Sequence, residues 1–598
     1  MKKAMMLALA LAASTSLAAP FVYPANWTSN KPGDVKTGGT FRTINLQDFK
    51  TLNPFVSSES PNLPAVLSAG MGSSSLLTYN PVTGNYMPYM AEKYTQSADK
   101  RTFTFDIRQG MKWSDGKPIT VDDWMTAYTI DSNKDVGSNT FDYWTINNQP
   151  IKVTKVDSNT LKVVFPKADV TAIEFLSGIF LPQPTHVFMP VWKSKGAEGI
   201  KAMWNISTNP DDIVTSGAFM LDRYVRGERA ILKKNPYYGQ WVKDSAGKPL
   251  PYLDGVQINI VADANAQLTQ FLAGNIDTYS PDNRDRLAQV KAAIDSGKIK
   301  ANLIANASAR ASSDFMVFNM DDSATFKTKL FSNVKFRQAM SMLMNREAMV
   351  DLTLGGLGAP TYTSVYPVYK DWIPSGMDKY KFNPAAATKL LAELGFTKKG
   401  SDGYLVDKAG NKLEFTLITN AENTRRQGYA KIIQDEAKKV GVKINTSFIA
   451  FNQMTTLLDA KSDFGRRNFD AIIIGLTGGG TVYPVSGPSV VECKGLGDGG
   501  NLHMFNQSNK CRFPFETQAV NLFWKGRAEF DLAKRKAVAA QIQRNEMENQ
   551  PYIQLAAQTV HYAWTDRVQG EYNRPQMSSI YASTLFGPRN IDLTWIKR

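Results

Sequence analysis

The chain has 598 residues, 43% of them apolar, which is enough for more than one hydrophobic core and for roughly two to four domains. The formal net charge of +15 is a modest excess for this length, and no basic stripe interleaved with aromatic residues accompanies it. The composition therefore argues against a nucleic-acid-binding protein. Beyond the N-terminal segment, no apolar run is long enough to cross a membrane as a helix.

The N-terminus has the pattern of a secretory signal peptide. Lys2 and Lys3 precede the apolar run 4–12, and small residues follow at 16–18 in the positions that a signal peptidase reads. We expect cleavage after Ala18, so that the mature chain works outside the cytoplasm. No Cys follows the small residues, so the pattern does not predict a lipoprotein.

Residues 86–126 predict a strand, a tight turn and the start of a helix. Polar and apolar residues alternate over 102–107, as in a half-buried strand. The tripeptide Ser-Asp-Gly at 114–116 is typical of a tight turn, because Gly adopts positive φ without penalty. Thr120 is placed to cap the following helix, with Asp123 three residues later.

The middle of the chain predicts further strands and one capped helix. Two strand-like runs flank residues 226–228 and indicate a β-hairpin. Strands are also predicted at 256–261 and 314–319, and Asn333 is placed to cap a helix with an apolar stripe.

Residues 413–476 predict an α/β lobe with a largely parallel sheet, since strands and helices alternate and such crossovers are right-handed. The expected order is strand 413–419, helix 423–439, strand 442–450, a helix around 454–460 and strand 469–475. Ligands of such sheets bind beyond the carboxyl ends of the strands. The last strand ends at Leu-Thr-Gly-Gly-Gly, 476–480, where a ligand can approach exposed backbone; a tight turn without a ligand is the alternative.

Cys493 and Cys511 are the only two cysteines of the sequence. An even pair in an exported protein predicts a disulfide, which here closes a Gly-rich loop. Two free buried thiols are one alternative. A zinc site with His503 is another, but a fourth ligand at normal spacing is missing.

Catalytic motifs occur in the sequence only outside their required context. The pattern G-x-G-x-x-G at 495–500 is followed by a predicted loop rather than a helix, so it does not predict a dinucleotide site. Only three His residues are available as bases, and none has a recognisable setting. We therefore expect no enzymatic activity, no cofactor and no metal.

The order of these segments closely resembles the family 5 extracellular solute-binding proteins, the ligand-capturing components of ABC importers for peptides, some oligosaccharides and nickel. The stretch 102–123 resembles the family's "T-Y-T-F-x-L-R-x-G-V-K-F-x-D-G-x-P-x-T-A-x-D", and 227–238 resembles "G-E-x-x-x-L-x-x-N-P-x-Y-W". The resemblance covers most of residues 39–565.

The resemblance implies an α/β fold, a two-lobed periplasmic binding protein of type II in its large family 5 form, with an extra subdomain on the first lobe. The boundaries it implies are the signal peptide 1–18, a discontinuous lobe I of 19–55, 206–318 and 562–598, the extra subdomain 56–205, and lobe II 319–561.

The function that the resemblance implies is capture of an oligopeptide or similar extended solute in the interlobe cleft, followed by hinge closure and delivery to a membrane permease. The permease and the ATPase would be separate polypeptides, and the binding protein itself a periplasmic monomer that binds no nucleic acid. An oligosaccharide is the alternative ligand. An exported hydrolase is the alternative of another class.

The predicted ligand contacts follow from one departure from the family. Peptide-binding members have "G-W-x-x-D", whose Asp pairs with the α-amino group of the peptide; here Leu476 replaces the Trp and Gly479 the Asp. We therefore expect residues 477–480 to contact ligand mainly through backbone atoms, so that the predicted ligand contacts here are Leu476, Thr477, Gly478 and Gly479. The anion for a cationic ligand end would come from Glu59, flanked by Ser58 and Ser60 in a loop that faces the cleft in the family.

Three further side chains complete the predicted site. Arg425 falls near a position where some peptide-binding relatives contact a ligand carboxylate, and a solvated Arg is the alternative. Trp144 and Tyr483 are expected to line an apolar cleft, and ordinary core packing is the alternative for both.

Overall fold

The structure is a computed structural model that describes residues 19–27, 30–31, 33–45, 48–56, 75–80, 83, 85–138, 140–146, 149–309, 312–321, 325–459, 467–477, 482–493, 504–506, 510–570 and 591–597. None of its helices, in these ranges, is both long and apolar enough to cross a bilayer.

The strands of the described chain are, in order, β1 Phe21–Val22, β2 Thr40–Asn45, β3 Leu77–Tyr79, β4 Tyr86–Pro88, β5 Ala91–Gln96, β6 Thr102–Ile107, β7 Thr145–Ile146, β8 Gln149–Pro150, β9 Lys152–Lys155, β10 Thr160–Val164, β11 Phe219–Val225, β12 Arg229–Lys234, β13 Val242–Lys243, β14 Gly255–Ile260, β15 Thr278–Tyr279, β16 Ala301–Ala309, β17 Ser312–Phe318, β18 Gly358–Pro360, β19 Lys398–Lys399, β20 Leu405–Val406, β21 Glu414–Asn420, β22 Lys443–Ile449, β23 Ala471–Thr477, β24 Tyr552–Gln554, β25 Ala556–Thr565, β26 Val568–Gln569 and β27 Trp595–Ile596.

The α-helices are, in order, α1 Val121–Asp131, α2 Ala172–Gly178, α3 Thr185–Ala202, α4 Tyr238–Trp241, α5 Ala264–Leu272, α6 Arg284–Asp295, α7 Phe326–Ser332, α8 Val334–Met342, α9 Arg346–Ala348, α10 Pro384–Glu393, α11 Thr424–Lys439, α12 Phe451–Asp459, α13 Pro488–Val491, α14 Pro514–Arg527 and α15 Leu532–Asn549. Short 3-10 turns lie at Ala25–Trp27, Phe141–Trp144, Pro210–Asp212, Pro367–Trp372 and Ile591–Leu593, and a π turn at Met349–Thr353.

The local sequence patterns predicted many of these elements correctly. The alternating run is β6, and its buried residues are its apolar ones. Thr120 precedes α1, and its N–H donates to the Asp123 carboxylate at 2.8 Å, as in a capping box. The predicted hairpin is β11 and β12, paired antiparallel. Asn333 caps α8 through its side chain.

The first lobe and its subdomain share one hydrophobic core. The first-lobe sheet has the order β11-β12-β14-β2, and the subdomain sheet has the order β5-β6-β10-β9. One continuous cluster of buried residues joins Trp124 and Trp144 of the subdomain to Phe41 and Val256 of the first lobe. Because a close-packed core does not deform readily, we treat these parts as one rigid body, the first lobe with its subdomain.

The second lobe has its own core around a five-stranded sheet of order β22-β21-β23-β17-β24. The pairs β21–β22 and β21–β23 are parallel, as predicted. The complete sheet is mixed, however, because β17, which lies outside the segment 413–476, pairs antiparallel with both β23 and β24. β17 enters from the first lobe, so no crossover helix constrains its direction. Ser312, at the start of β17, is thus already paired within the sheet of the second lobe.

Two neighbouring chain segments cross between the lobes. One crossing leads from β16 to β17, and the other leads from β24 into β25. The second crossing lies beside β17, since the Leu555 amide donates to the Asp314 carbonyl oxygen at 3.0 Å. β25 then pairs with β15 and β16 of the first lobe and with β18 of the second. Connections of this kind are where domains hinge, and we refer to the two crossings as the hinge.

A buried carboxylate joins distant parts of the first lobe. Tyr23 and Tyr238 each donate to Asp592 Oδ2 at 2.9 Å, and the hydroxyls of Tyr238 and Tyr89 are themselves hydrogen-bonded. Asp592 is fully buried. Burial raises the pKa of Asp592 from 3.8 to about 6, although the hydrogen bonds from the tyrosines act in the opposite direction.

We expect this carboxyl to stabilise the protein most at low pH. Its raised pKa in the folded state favours folding below about pH 4, and that contribution is lost as the pH rises through about 6, a change of about 3 kcal/mol. Asp592→Asn cannot titrate. In urea unfolding from about pH 4 to about pH 7, the stability of the wild type relative to this variant should therefore fall. If the stabilities of the wild type and of Asp592→Asn changed with pH in the same way, the raised pKa of Asp592 would be contradicted.

Candidate ligand-binding cleft

The carboxyl edge of the second-lobe sheet lies beside the crossing between the lobes. The parallel strands β21 and β23 end there, at Asn420 and Thr477. β17 begins at the same edge, with Ser312 paired to Thr477 and Asp314 paired to Gly475. The edge at which α/β sheets bind ligands thus meets the hinge.

Two arginines hold the Asp314 carboxylate at this edge. Arg425 Nε donates to Oδ2 at 2.8 Å and Arg426 Nε to Oδ1 at 2.9 Å. The Asp314 side chain is only 5% exposed. Burial alone raises the pKa of Asp314, but the charges of the two arginines outweigh it and hold the pKa at about 2. The cluster therefore carries one net positive charge at neutral pH.

Gly475 makes room for this cluster. A Cβ at that position would lie 2.5 Å from Asp314 Oδ1 and 2.9 Å from Arg426 Nη2. Any other residue would displace the ion pairs. The glycine in the buried strand β23 is thus explained by the charged groups packed against it rather than by a turn.

Arg425 also connects the two lobes. It lies in the first turn of α11, whose N-cap Asn423 accepts the Arg426 amide at 3.1 Å. Arg425 Nη1 donates to Gln558 Oε1 in β25 at 2.7 Å, and Gln558 Nε2 donates to the Asp282 carbonyl oxygen of the first lobe at 2.8 Å. A chain of hydrogen bonds therefore runs from a second-lobe helix across the hinge.

The family assignment follows from two comparisons. Residues 85–489 match the family of bacterial extracellular solute-binding proteins, family 5 Middle. Over all 598 residues, with 100% of both chains covered, the sequence is 91% identical to a probable ABC transporter-binding protein of Deinococcus radiodurans. This chain belongs to the family 5 extracellular solute-binding proteins.

Two solved structures share the fold of this family 5 protein. The oligopeptide-binding protein AppA of Bacillus subtilis, in complex with a nonapeptide, has a TM-score of 0.74 at 21% identity and covers 94% of this chain and 100% of its own. The periplasmic binding protein MelB of Agrobacterium fabrum, in complex with stachyose, has a TM-score of 0.78 at 20% identity and covers 97% of this chain and 87% of its own. The predicted two-lobed α/β fold of type II is confirmed.

The structure decides between the environments proposed for Arg425, Trp144 and Tyr483. The alternative of a solvated Arg425 is wrong, since the side chain pairs with Asp314 and is only 20% exposed. Trp144 is 1% exposed and lies edge-on to Phe175 and Phe180 with ring centroids 4.9 and 5.0 Å away. Tyr483 is 3% exposed in a separate second-lobe cluster. Trp144 and Tyr483 are thus packed in cores, against the expectation that they line the cleft. A ligand contact by Arg425 stays a prediction.

The remaining predicted contacts lie at or beyond the end of β23. Leu476 is half-buried and packs against the second-lobe core. Thr477 is the last residue of the strand. The predicted ligand residues Gly478, Gly479, Ser58, Glu59 and Ser60 lie outside the described residues, so their roles stay predictions.

Sequence reasoning missed Asp314 and Gln558, the partners of Arg425. One signal was present for Asp314, because a carboxylate opens an otherwise apolar predicted strand and a buried carboxylate requires a counter-charge. No local pattern indicates Gln558.

The predicted disulfide between Cys493 and Cys511 is present, with the sulfurs 2.10 Å apart. Both alternatives for the pair, two free thiols and a zinc site, are therefore wrong in this structure. The bond joins the residues after α13 to those before α14.

We expect Asp314→Asn to destabilise the protein by about 3 kcal/mol, because two buried arginines would lose their shared counter-charge. The low pKa also predicts that the contribution of this carboxylate is lost as the pH falls from about 4 towards 2. Urea unfolding measures both effects.

Glu393→Gln is the matched control, since Glu393 pairs with Lys335 at 2.7 Å but both side chains are 52% exposed. The control should change stability by less than about 1 kcal/mol. Equal losses in the two variants would show that the Asp314 cluster has no special role.

Proposed function

We propose that this family 5 protein binds an oligopeptide or a similar extended solute between its lobes, closes around it and delivers it to the permease of an ABC importer. The observation that carries the proposal is the pair of adjacent crossings at the carboxyl edge of the second-lobe sheet, between two separate cores. Closure is driven by the higher affinity of the closed state for the ligand. The ATPase and the pore are other polypeptides.

The charge of the cluster favours a ligand with an anionic group. Asp314, Arg425 and Arg426 together carry one net positive charge beside the ends of β21 and β23. The Arg425 side chain is 20% exposed, so it is accessible to a ligand carboxylate without leaving Asp314. The AppA complex with a nonapeptide, which has this fold, supports a peptide.

The absence of an Asp at Gly479 supports a second candidate, an oligosaccharide. A buried ammonium group without a counter-charge is costly, whereas an uncharged sugar requires none. The MelB complex with stachyose shows that a protein of this fold holds an oligosaccharide. A peptide ligand would need Glu59 as its anion.

We further propose that the chain is exported through a signal peptide cleaved after Ala18, without lipid attachment. The mature protein then acts in the periplasm, as a monomer. Family membership supports an extracytoplasmic, non-enzymatic role over that of an exported hydrolase.

Mass spectrometry of the solute retained after gentle purification identifies the ligand class. Recovery of neither a peptide nor a sugar would contradict both candidates.

We expect Gly478→Val to weaken binding of the retained ligand by roughly tenfold, because the added side chain blocks approach to the backbone. Calorimetry gives the affinity, and thermal unfolding should change little, since loops tolerate substitution. Ala409→Val, in an exposed turn of the same lobe, is the control and should leave the affinity unchanged. Unchanged affinity in Gly478→Val would place the site elsewhere.

Glu59→Gln distinguishes the two ligand classes. If Glu59 neutralises a cationic ligand end, the variant should lose at least about tenfold in affinity for a peptide and none for stachyose, which carries no charge. Calorimetry with both probes measures this difference. Undiminished peptide binding would remove Glu59 from the site.

A further inference from the structure

The two lobes meet a second time, at a seam that involves no covalent crossing. The seam consists of Asp169, Val170 and Glu174 of the subdomain and Val482 and Arg527 of the second lobe. The Asp169 carboxylate pairs with the Arg527 guanidinium, with Nε donating to Oδ1 at 3.1 Å. The Val170 amide donates to the Arg527 carbonyl oxygen at 2.7 Å. The side chains of the ion pair are 1% and 8% exposed.

A second carboxylate of the subdomain reaches the same lobe. Glu174, in the first turn of α2, accepts the Val482 amide at Oε1, 3.0 Å away. The carbonyl oxygen of Val482 in turn accepts Arg535 Nε at 3.1 Å. Glu174 therefore joins the subdomain to the backbone of the second lobe at Val482.

These contacts join two separately packed parts of the protein. The subdomain shares its core with the first lobe, whereas α14 belongs to the second lobe, so rotation about the hinge separates Asp169 from Arg527. The seam is also less completely packed than a core, because a cavity of about 310 Å³ opens there, beside Asp169, Trp524 and Arg527.

Each lobe positions its own half of the ion pair. Asp169 Oδ1 accepts both the amide and the hydroxyl of Thr171 at 2.8 Å. Arg527 lies over the rings of Trp524 and Phe523, 4.8 and 5.4 Å from their centroids. The Trp524 indole donates to Glu492, the residue before the disulfide-bonded Cys493, at 3.0 Å. Preorganised partners lose little entropy on meeting, which favours rapid and reversible closure.

We propose that Asp169 and Glu174 form a closing latch, in which Asp169 binds Arg527 and Glu174 binds the Val482 amide only when the lobes close. Glu174 then adds a hydrogen bond between the lobes that is separate from the Asp169–Arg527 ion pair. The proposal goes beyond solute binding and rests on the hinged closure proposed above. Both carboxylates are positioning residues.

The latch is tested by the distance between two spin labels, one on each side of the seam. Lys162→Cys in β10 and Lys438→Cys in α11 are exposed sites, and both native cysteines are in the disulfide. Distances are recorded in ligand-stripped protein and after addition of a mixed tryptic peptide digest. In Asp169→Asn and in Glu174→Gln, the ratio of closed to open protein should fall about tenfold, equal to about 1.4 kcal/mol.

The controls separate the latch from the fold and from the hinge. Glu393→Gln, in an exposed pair within the second lobe, should leave the ratio unchanged. Combining Asp169→Asn with Arg527→Gln should add little to either change alone, because the two residues act as one pair. Ratios within twofold of the wild type in both carboxylate variants would overturn the latch. A single wild-type distance under both conditions would refute the hinge, and the proposed function with it.

Discussion

The Asp314 carboxylate, held between two arginines, is the interaction on which the arrangement of the two lobes depends. It lies at the start of the strand that enters the second lobe, and its ion pairs join that strand to the first turn of α11. A buried carboxylate is tolerated only with such compensation. The same cluster requires a glycine at 475 and, through Arg425 and Gln558, extends to the first lobe.

The hinge and the seam have different physical requirements. The Asp314 cluster lies largely buried beside the crossings, so its charges have to compensate one another, and three charged groups with a net charge of one do so. The seam is formed and broken, so its charges have to be acceptable in water as well as in contact. A single ion pair with a few backbone hydrogen bonds meets that condition, because the hydration lost on closure offsets much of the attraction. Ligand binding can then decide between the two states.

Local patterns predicted what depends on neighbouring residues. The alternation in β6, the caps at Thr120 and Asn333, and the parallel pairs around β21 all follow from short segments of sequence. The disulfide followed from composition and the expected compartment. Family resemblance supplied the two-lobed fold.

The sequence did not predict contacts between segments that are distant along the chain. Arg425 is 111 residues from Asp314, and Arg527 is 358 residues from Asp169. The antiparallel pairing of β17 depends on a strand that arrives from the other lobe. The aromatic character of Trp144 and Tyr483 did not distinguish a cleft wall from a core, since both environments favour large apolar rings.

Solution scattering of the ligand-stripped and ligand-saturated protein shows whether a solute is enclosed between two hinged lobes. We expect a smaller radius of gyration with ligand, because rotation about the paired crossings brings the two cores together. Identical scattering profiles with and without saturating ligand would contradict it.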